Sequence, residues 1–255
     1  MLNILKVHYT MITINIVIPS YSRADRVITT KCIANAKICV PESQFEDYKK
    51  HNPNNEIIAH PDSIKGLTLK RQWIYEQFPN VFMIDDDIRS INRLYVEKGE
   101  TAALEPEEAY DIVQYIGNCA KLAGCYLFGL SKEGNPLAYN DMNPIKLTGV
   151  LNGTIGLLEG SDLYFHKDAV VSEDYWICAL NAYKHRMAWI DTRFSVVGTK
   201  TFGNPGGCAS YRTKEQEKAD TLFLRKMFGD SISLKVDTAL AKRKHEFQRT
   251  LSIKF

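Results

Sequence analysis

What the sequence lacks narrows the field first. Its six cysteines, at 32, 39, 119, 125, 178 and 208, form no Cys-x-x-Cys pair, and no histidine stands at finger-like spacing. That pattern argues against a structural zinc site and for buried, reduced thiols. No apolar run approaches the ~18–20 residues of a membrane span. Asn3, Lys6, His8 and Asn15 interrupt the apolar start, and it does not read as a secretory signal. Residues 1–10 read as a loose extension ahead of a pattern that begins after Met11. Charge of one sign is also missing: 32 Lys and Arg meet 30 Asp and Glu, a net charge of +2. A purely electrostatic nucleic-acid binder carries far more positive charge, although a local basic patch is still allowed. Internal repeats, low-complexity tracts and Pro- or Ser-rich linkers are absent. What remains is a 255-residue chain, 45% hydrophobic and 24% charged. Such a chain buries enough apolar surface to offset the entropy of ordering. The expectation is one soluble, cytoplasmic domain.

The first hundred residues alternate. Ile14 to Ile18 is a β-branched run stopped by Pro19-Ser20-Tyr21-Ser22. Ala24 to Ala36 is expected as a helix, residues 36–40 as a strand, 42–51 as a helix, 56–59 as a strand and 68–77 as a helix. Val81 to Ile84 is a fourth strand, running into Asp85-Asp86-Asp87. This alternation predicts a mostly parallel sheet flanked by helices, with ligands beyond the carboxyl ends of its strands. Farther on, 105–122 is a helix, 126–130 a strand and 131–147 a long Asn-, Pro- and Gly-rich loop. Residues 150–158 read as a strand, and Ser172 caps a helix with Trp176, Ala179, Leu180, Tyr183 and Met187 on its apolar face. Two short strands are expected within 188–202, and a helix over 214–228. Trp73, Trp176 and Trp189 read as core.

Three clusters carry chemistry. In FMIDDDI (82–88), an apolar strand delivers three carboxylates to a sheet edge, where their mutual repulsion favours a cation. Mg²⁺ or Mn²⁺ is commonly held by one or two carboxylates together with substrate phosphates. In SIKGLTLKRQW (63–73), Gly66 allows close backbone approach, and Lys65, Lys70 and Arg71 add positive charge suited to phosphate. Ser172-Glu173-Asp174 places acids in the first turn of a helix, where a carboxylate can act as a general base. Each has a plainer reading: an acidic turn, a basic helix face and a helix cap.

In order, IVIPSYSR, KGLTLKRQW, FMIDDDI and VSEDYWICALNAYKHRMAWI resemble a GT-A fold glycosyltransferase of the large inverting family with a D-x-D and a later E-D motif. The resemblance covers roughly residues 12–195. It implies an α/β fold of GT-A type, a nucleotide-sugar donor with uridine as its usual base, and Mn²⁺ or Mg²⁺. Carried over by position, Pro19, Ser20, Tyr21, Ser22 and Arg23 line the nucleoside pocket. Asp85 and Asp86 face ribose and metal, and Asp87 is the principal metal ligand beside Asp85. Asp174 is the base, with Glu173 next to it. The basic SYSRADR segment departs from the family's usual loop after the first strand. A compact build without a membrane helix is similar to glycosyltransferases of bacteriophages, some of them linked to hydroxymethylated DNA bases. In that setting the enzyme works in the host cytoplasm.

The reading is therefore one GT-A-like domain over 1–255. Residues 12–100 form its nucleotide-binding half, 101–210 its acceptor and catalytic half, and 211–255 a basic C-terminal extension. The partners expected are a nucleotide-sugar donor and a DNA acceptor, with no membrane or protein partner. Gly206, Gly207 and Arg212 are candidates to close over phosphate. His166, His185 and His245 are candidate third metal ligands, and Lys242, Arg243, Lys244 and Arg249 a candidate DNA contact. Two rivals stand beside this reading: a nucleotidyltransferase, which would release pyrophosphate, and a noncatalytic nucleic-acid-binding module.

Overall fold

The computed structural model describes residues 10–97, 102–198, 207–234 and 249–251. The first nine residues and most of the basic tail, including Lys242, Arg243, Lys244 and His245, lie outside these residues, as does Gly206. In chain order the strands and helices are β1 (Asn15–Pro19), β2 (Lys37–Pro41), α1 (Phe45–His51), β3 (Ile57–His60), α2 (Leu67–Gln77), β4 (Val81–Ile84), β5 (Ile88–Arg93) and α3 (Pro106–Leu122). There follow β6 (Leu127–Ser131), β7 (Ile145–Lys146), β8 (Thr154–Leu157), α4 (Glu173–His185), β9 (Trp189–Gly198), α5 (Lys214–Phe228), β10 (Ile232–Leu234) and β11 (Arg249–Leu251).

A nine-stranded sheet runs β3-β2-β1-β4-β8-β6-β9-β5, with β7 also paired to β9. Strands β1 to β4 are mutually parallel. Strand β8 runs against β4 and β6, β9 is parallel to β6, and β5 and β7 run against β9. Six strands thus share one direction, the mixed but mostly parallel α/β layout that the GT-A resemblance implies. Strands β10 and β11 form a separate antiparallel pair.

The apolar runs of β1 and β4 are continuous because both faces of the sheet are covered. Ile14, Ile16 and Ile18 of the first run, with Phe82 and Ile84, join a core with Val113 and Ile116 of α3. Val17, Val81 and Met83 point the other way, into a core with Ile74, Trp176, Ile177 and Leu224. Two amides of α3 complete the approach to β1. Gln114 accepts from the Ile14 amide and donates to its carbonyl, both at 2.8 Å, and Asn118 does the same for Ile12 at 2.9 Å. These bonds satisfy backbone groups that burial would otherwise strand.

Several expectations change. The helix expected over 24–36 is instead two single-turn 3₁₀ segments, Ala24–Arg26 and Thr29–Lys31. The hydroxyl of Thr29 donates to the Asp85 carbonyl at 2.6 Å and accepts from the Ile88 amide at 2.9 Å. This segment serves the acidic turn, and that tertiary demand outweighs helix propensity. Residues 189–198 form the single strand β9, and the sequence carries no signal for the polar strand β5. Tyr183 is exposed, so it is not part of the core face of α4. Ser172 makes no side-chain capping bond. Trp176 is core, whereas Trp73 and Trp189 are only half-buried.

Candidate active site

The ends of β1, β2, β3 and β4, the starts of α2 and α4, and the 207–212 segment surround a cavity of about 1170 Å³. That is room for a nucleotide-sized ligand and a second substrate. Pro19, Ser20, Tyr21, Arg23, Lys65, Gly66, Lys70, Arg71, Asp85, Asp86, Asp87, Glu173 and Asp174 all line it. Ser22 does not; its φ of 55° turns it outward, where it exchanges hydrogen bonds with Gln44. Gly66 begins α2 at a φ of 85°, a conformation that glycine adopts without strain.

The three adjacent acids have different surroundings. Asp86 is 5% exposed. One oxygen accepts from Ser20 Oγ at 2.6 Å, and the other pairs with Arg23 Nη1 at 2.7 Å. Tyr48 accepts from the Arg23 amide at 2.9 Å and lies 2.8 Å from Ser20 Oγ. Because Ser20 donates to Asp86, Tyr48 donates to Ser20 in turn. Burial pushes the Asp86 carboxyl up from its ordinary value, and Arg23 pulls it back. The ribose- and metal-facing role expected of Asp86 therefore meets a carboxylate already spent on pinning the loop after β1 to the acidic turn.

Asp85 is more open. It accepts from Arg71 Nη2 at 2.8 Å, and its own amide donates to the Gly153 carbonyl at 3.0 Å. Arg71 is almost wholly buried, and its Nε lies 3.6 Å from Glu173 Oε1. It thus links the acidic turn to the start of α4, while its Nε and Nη1 have no hydrogen-bond acceptor. Two unsatisfied donors on a buried cation at a cavity wall suit an anion. Lys70 differs from its expected phosphate role: its Nζ donates to the Ser20 carbonyl, beneath the Tyr21 ring. Burial lowers its pKa to about 8.

Glu173 and Asp174 divide similarly. Burial, with Asp174 adding repulsion, raises Glu173 to about 7. Asp174 is only half-buried and lines the cavity. Glu173 faces Arg71 at the cavity wall, and Asp174 is the more accessible of the two acids.

Tyr211, Cys208 and Asn152, which enter the cavity wall from distant segments, carry no local motif that would mark them as site residues. Tyr211 accepts from the Leu67 amide at 3.2 Å and donates to Cys208 Sγ at 3.0 Å, tying the 207–212 segment to α2. Gly207, at a φ of 57°, lies so close to Arg23 that a Cβ would stand 3.0 Å from its guanidinium. Arg212 lines the cavity but is held by Glu217 at 2.8 Å and the Val171 carbonyl at 3.3 Å. His166 packs against Trp176 and Phe223, and His185 against Tyr126; neither lines the cavity.

Among the described residues, no three His, Cys, Asp or Glu side chains converge in metal-binding geometry. The donor set at the acidic turn is two carboxylates, Asp85 and Asp87, facing the cavity. This fits Mg²⁺ or Mn²⁺ of the kind completed by substrate phosphates. Among the same residues, no helix is long and apolar enough to cross a membrane.

Fold and cavity together define an α/β protein with an acidic strand-end site of nucleotide size. The sequence model of the TET-Associated Glycosyltransferase family matches residues 14–207, and the chain belongs to that family. No curated protein matches it. Among solved structures, it is similar to S. aureus TarS, with a TM-score of 0.43 and 11% identity over 89% of this chain. The chain spans 46% of TarS. It is also similar to CMP:2-keto-3-deoxy-manno-octonic acid synthetase complexed with CTP, with a TM-score of 0.37 and 11% identity over 84% of this chain and 100% of that one.

Proposed function

We propose that the chain transfers a sugar from a nucleotide-sugar donor, of which a UDP-sugar is the first choice, to a hydroxyl group. One observation carries this reading. A single cavity brings together two metal-competent carboxylates (Asp85, Asp87), a buried guanidinium with unused donors (Arg71) and a half-buried carboxylate at a helix start (Asp174). Tyr21 and Arg23, which line the cavity beyond β1, face the nucleoside side. Asp87 and Asp85 would hold Mn²⁺ or Mg²⁺, whose chemistry is to neutralise charge building on a departing diphosphate. Arg71 donates to the same anion.

In an inverting displacement the acceptor oxygen bonds to the anomeric carbon as the bond from that carbon to phosphate breaks. The hydroxyl proton passes to Asp174, and the nucleoside diphosphate leaves. Arg71 fixes Glu173 beside this base. The proposed acceptor is a hydroxymethylated pyrimidine in DNA, a reading supported by the TET-associated family to which the chain belongs. To test it, DNA with and without hydroxymethylated bases is offered beside free saccharides and peptides, with a panel of nucleotide sugars. The expected result is one hexose or pentose mass added per hydroxymethylated base. Addition only to saccharides or peptides would contradict the acceptor, and release of pyrophosphate would contradict the transferase.

A further inference from the structure

The acceptor side of the cavity carries a feature that neither catalysis nor folding uses. The segment between β6 and β7 lines the cavity with Lys132 and Gly134 and then turns outward. There Leu137 is 93% exposed and Met142 82% exposed. Asn135 accepts from the Leu137 amide, and Asn140 from the Met142 amide, both at 3.0 Å. The loop is anchored to β9 through Thr192, which donates from its amide to the Pro144 carbonyl at 2.9 Å and from its hydroxyl to the Asn143 carbonyl at 3.1 Å. Two large apolar side chains are thus held in water on a supported loop.

Next to them runs a row of rings. Tyr139 lies 6.4 Å from Tyr95, and Tyr95 meets Phe194 edge-on at 5.8 Å. The Arg193 guanidinium then sits between Phe194, at 5.7 Å, and Tyr115, at 5.9 Å. It is fixed there by the fully buried Asp191, at 3.0 and 2.6 Å. Tyr95 and Tyr115 are each about half exposed, at 51% and 54%. The row stands outside the cavity wall and is linked to it along β9. Phe194 is two residues from Val196 on β9, both contribute to one core, and Val196 lines the cavity.

Resting on the acceptor reading above, we infer that this face receives nucleic acid around the reacting base. Leu137 and Met142 enter the base stack as wedges, while Tyr95, Tyr139 and Tyr115 stack flanking bases. The chemistry favours this occupant. Aromatic faces interleaved with a planar guanidinium form a stacking platform for bases. Leu and Met are side chains that proteins insert between base steps. A base inside a duplex is out of reach of a closed cavity, so it must be extruded before its hydroxymethyl group meets Asp174.

The probe is a duplex with one hydroxymethylcytosine next to 2-aminopurine, whose fluorescence rises when it unstacks. Binding is read by anisotropy and sugar addition by mass, using the full chain. The chain should bind the duplex and raise the fluorescence. The double variant L137S/M142S should lose that rise, and its transfer to the duplex should fall about ten-fold more than its transfer to the free nucleoside. Tyr95→Ser should weaken binding of the single strand by about 5- to 150-fold, the value of one stacked base. Both changes are on exposed side chains, and far-ultraviolet circular dichroism confirms the fold. If duplex DNA is glycosylated but the variants match the parent in fluorescence and affinity, this inference fails and the proposed function stands. If the parent neither binds nor modifies DNA, or if the row governs transfer to a saccharide or peptide, the nucleic-acid occupant is wrong and the acceptor reading falls with it.

Discussion

The inner wall of the cavity and the surface outside it are built on opposite principles. On the proposed donor side, Ser20, Tyr48 and Asp86 are buried and bonded into one network with the half-buried Arg23, and Lys70 and Arg71 are among the most deeply buried charges of the described residues. On the proposed acceptor side, outside the cavity wall, Leu137, Met142, Tyr95 and Tyr115 face water. Buried charge networks hold a fixed shape at a cost in desolvation. Exposed apolar groups cost solvation until something covers them. On the proposed function, the contrast means that the geometry around a small donor is fixed in advance, while the acceptor surface is left to be completed by the acceptor.

That contrast can be broken by single substitutions. The largest effect is expected where the sides meet. Asp174→Asn keeps size but accepts no proton, so transfer should fall by roughly 10²–10⁴-fold while donor affinity holds. Steady-state rates against donor titrations check this, and a parent-like rate would leave Asp174 a helix-start residue only. On the donor side, Asp86→Ala removes the partner of Arg23 within a buried network. A loss of about 3–5 kcal/mol in denaturant unfolding is expected. Asp87→Asn, on the same turn, should leave stability close to that of the parent and instead weaken metal-supported donor binding.

Two subtler effects depend on pH. Burial raises the Glu173 carboxyl in the folded chain to about 7, from the ordinary glutamate value of about 4.3. Between these values the folded chain binds more protons than the unfolded one, so its contribution to stability is present below the lower value and lost as pH rises to the upper one. The slope is at most about 1.4 kcal/mol per pH unit. Glu173→Gln should flatten it in unfolding midpoints measured from pH 4.5 to 7. Lys70 acts in the opposite sense, its penalty fading as pH rises above about 8. Smallest of all, Leu137→Ser should change stability by less than about 0.5 kcal/mol, as an exposed site does.

Much of this architecture is legible in the sequence where the signal is local. The β1 and β4 runs, α2, α3, α5 and the acidic turn follow from periodicity and from breakers such as Pro19 and Pro106. The parts that escaped are those fixed from a distance. Nothing within 24–36 announces that Thr29 serves the Asp85 carbonyl, so the stretch read as a helix. The three acids look equivalent in sequence, yet Ser20 and Arg23, more than sixty residues away, remove Asp86 from the open surface. Lys70 reads as a phosphate base because its burial under Tyr21 depends on the loop after β1. Tyr211 reaches Leu67 across 144 residues, a contact with no local trace. Composition counted the aromatic residues, but only the sheet brings Tyr95, Phe194 and Tyr115 into one row.

The proposed chemistry rests on the half-buried carboxylates Asp85 and Asp87 working with a divalent cation on a nucleotide-sugar diphosphate. The most direct measurement is cleavage of a panel of nucleotide sugars by the purified chain in Mn²⁺ or Mg²⁺, in excess chelator, and by Asp87→Asn. The account predicts nucleoside diphosphate released in metal, suppressed by chelator and largely lost in the variant. Full turnover in chelator by both proteins, or pyrophosphate as the product, would contradict it.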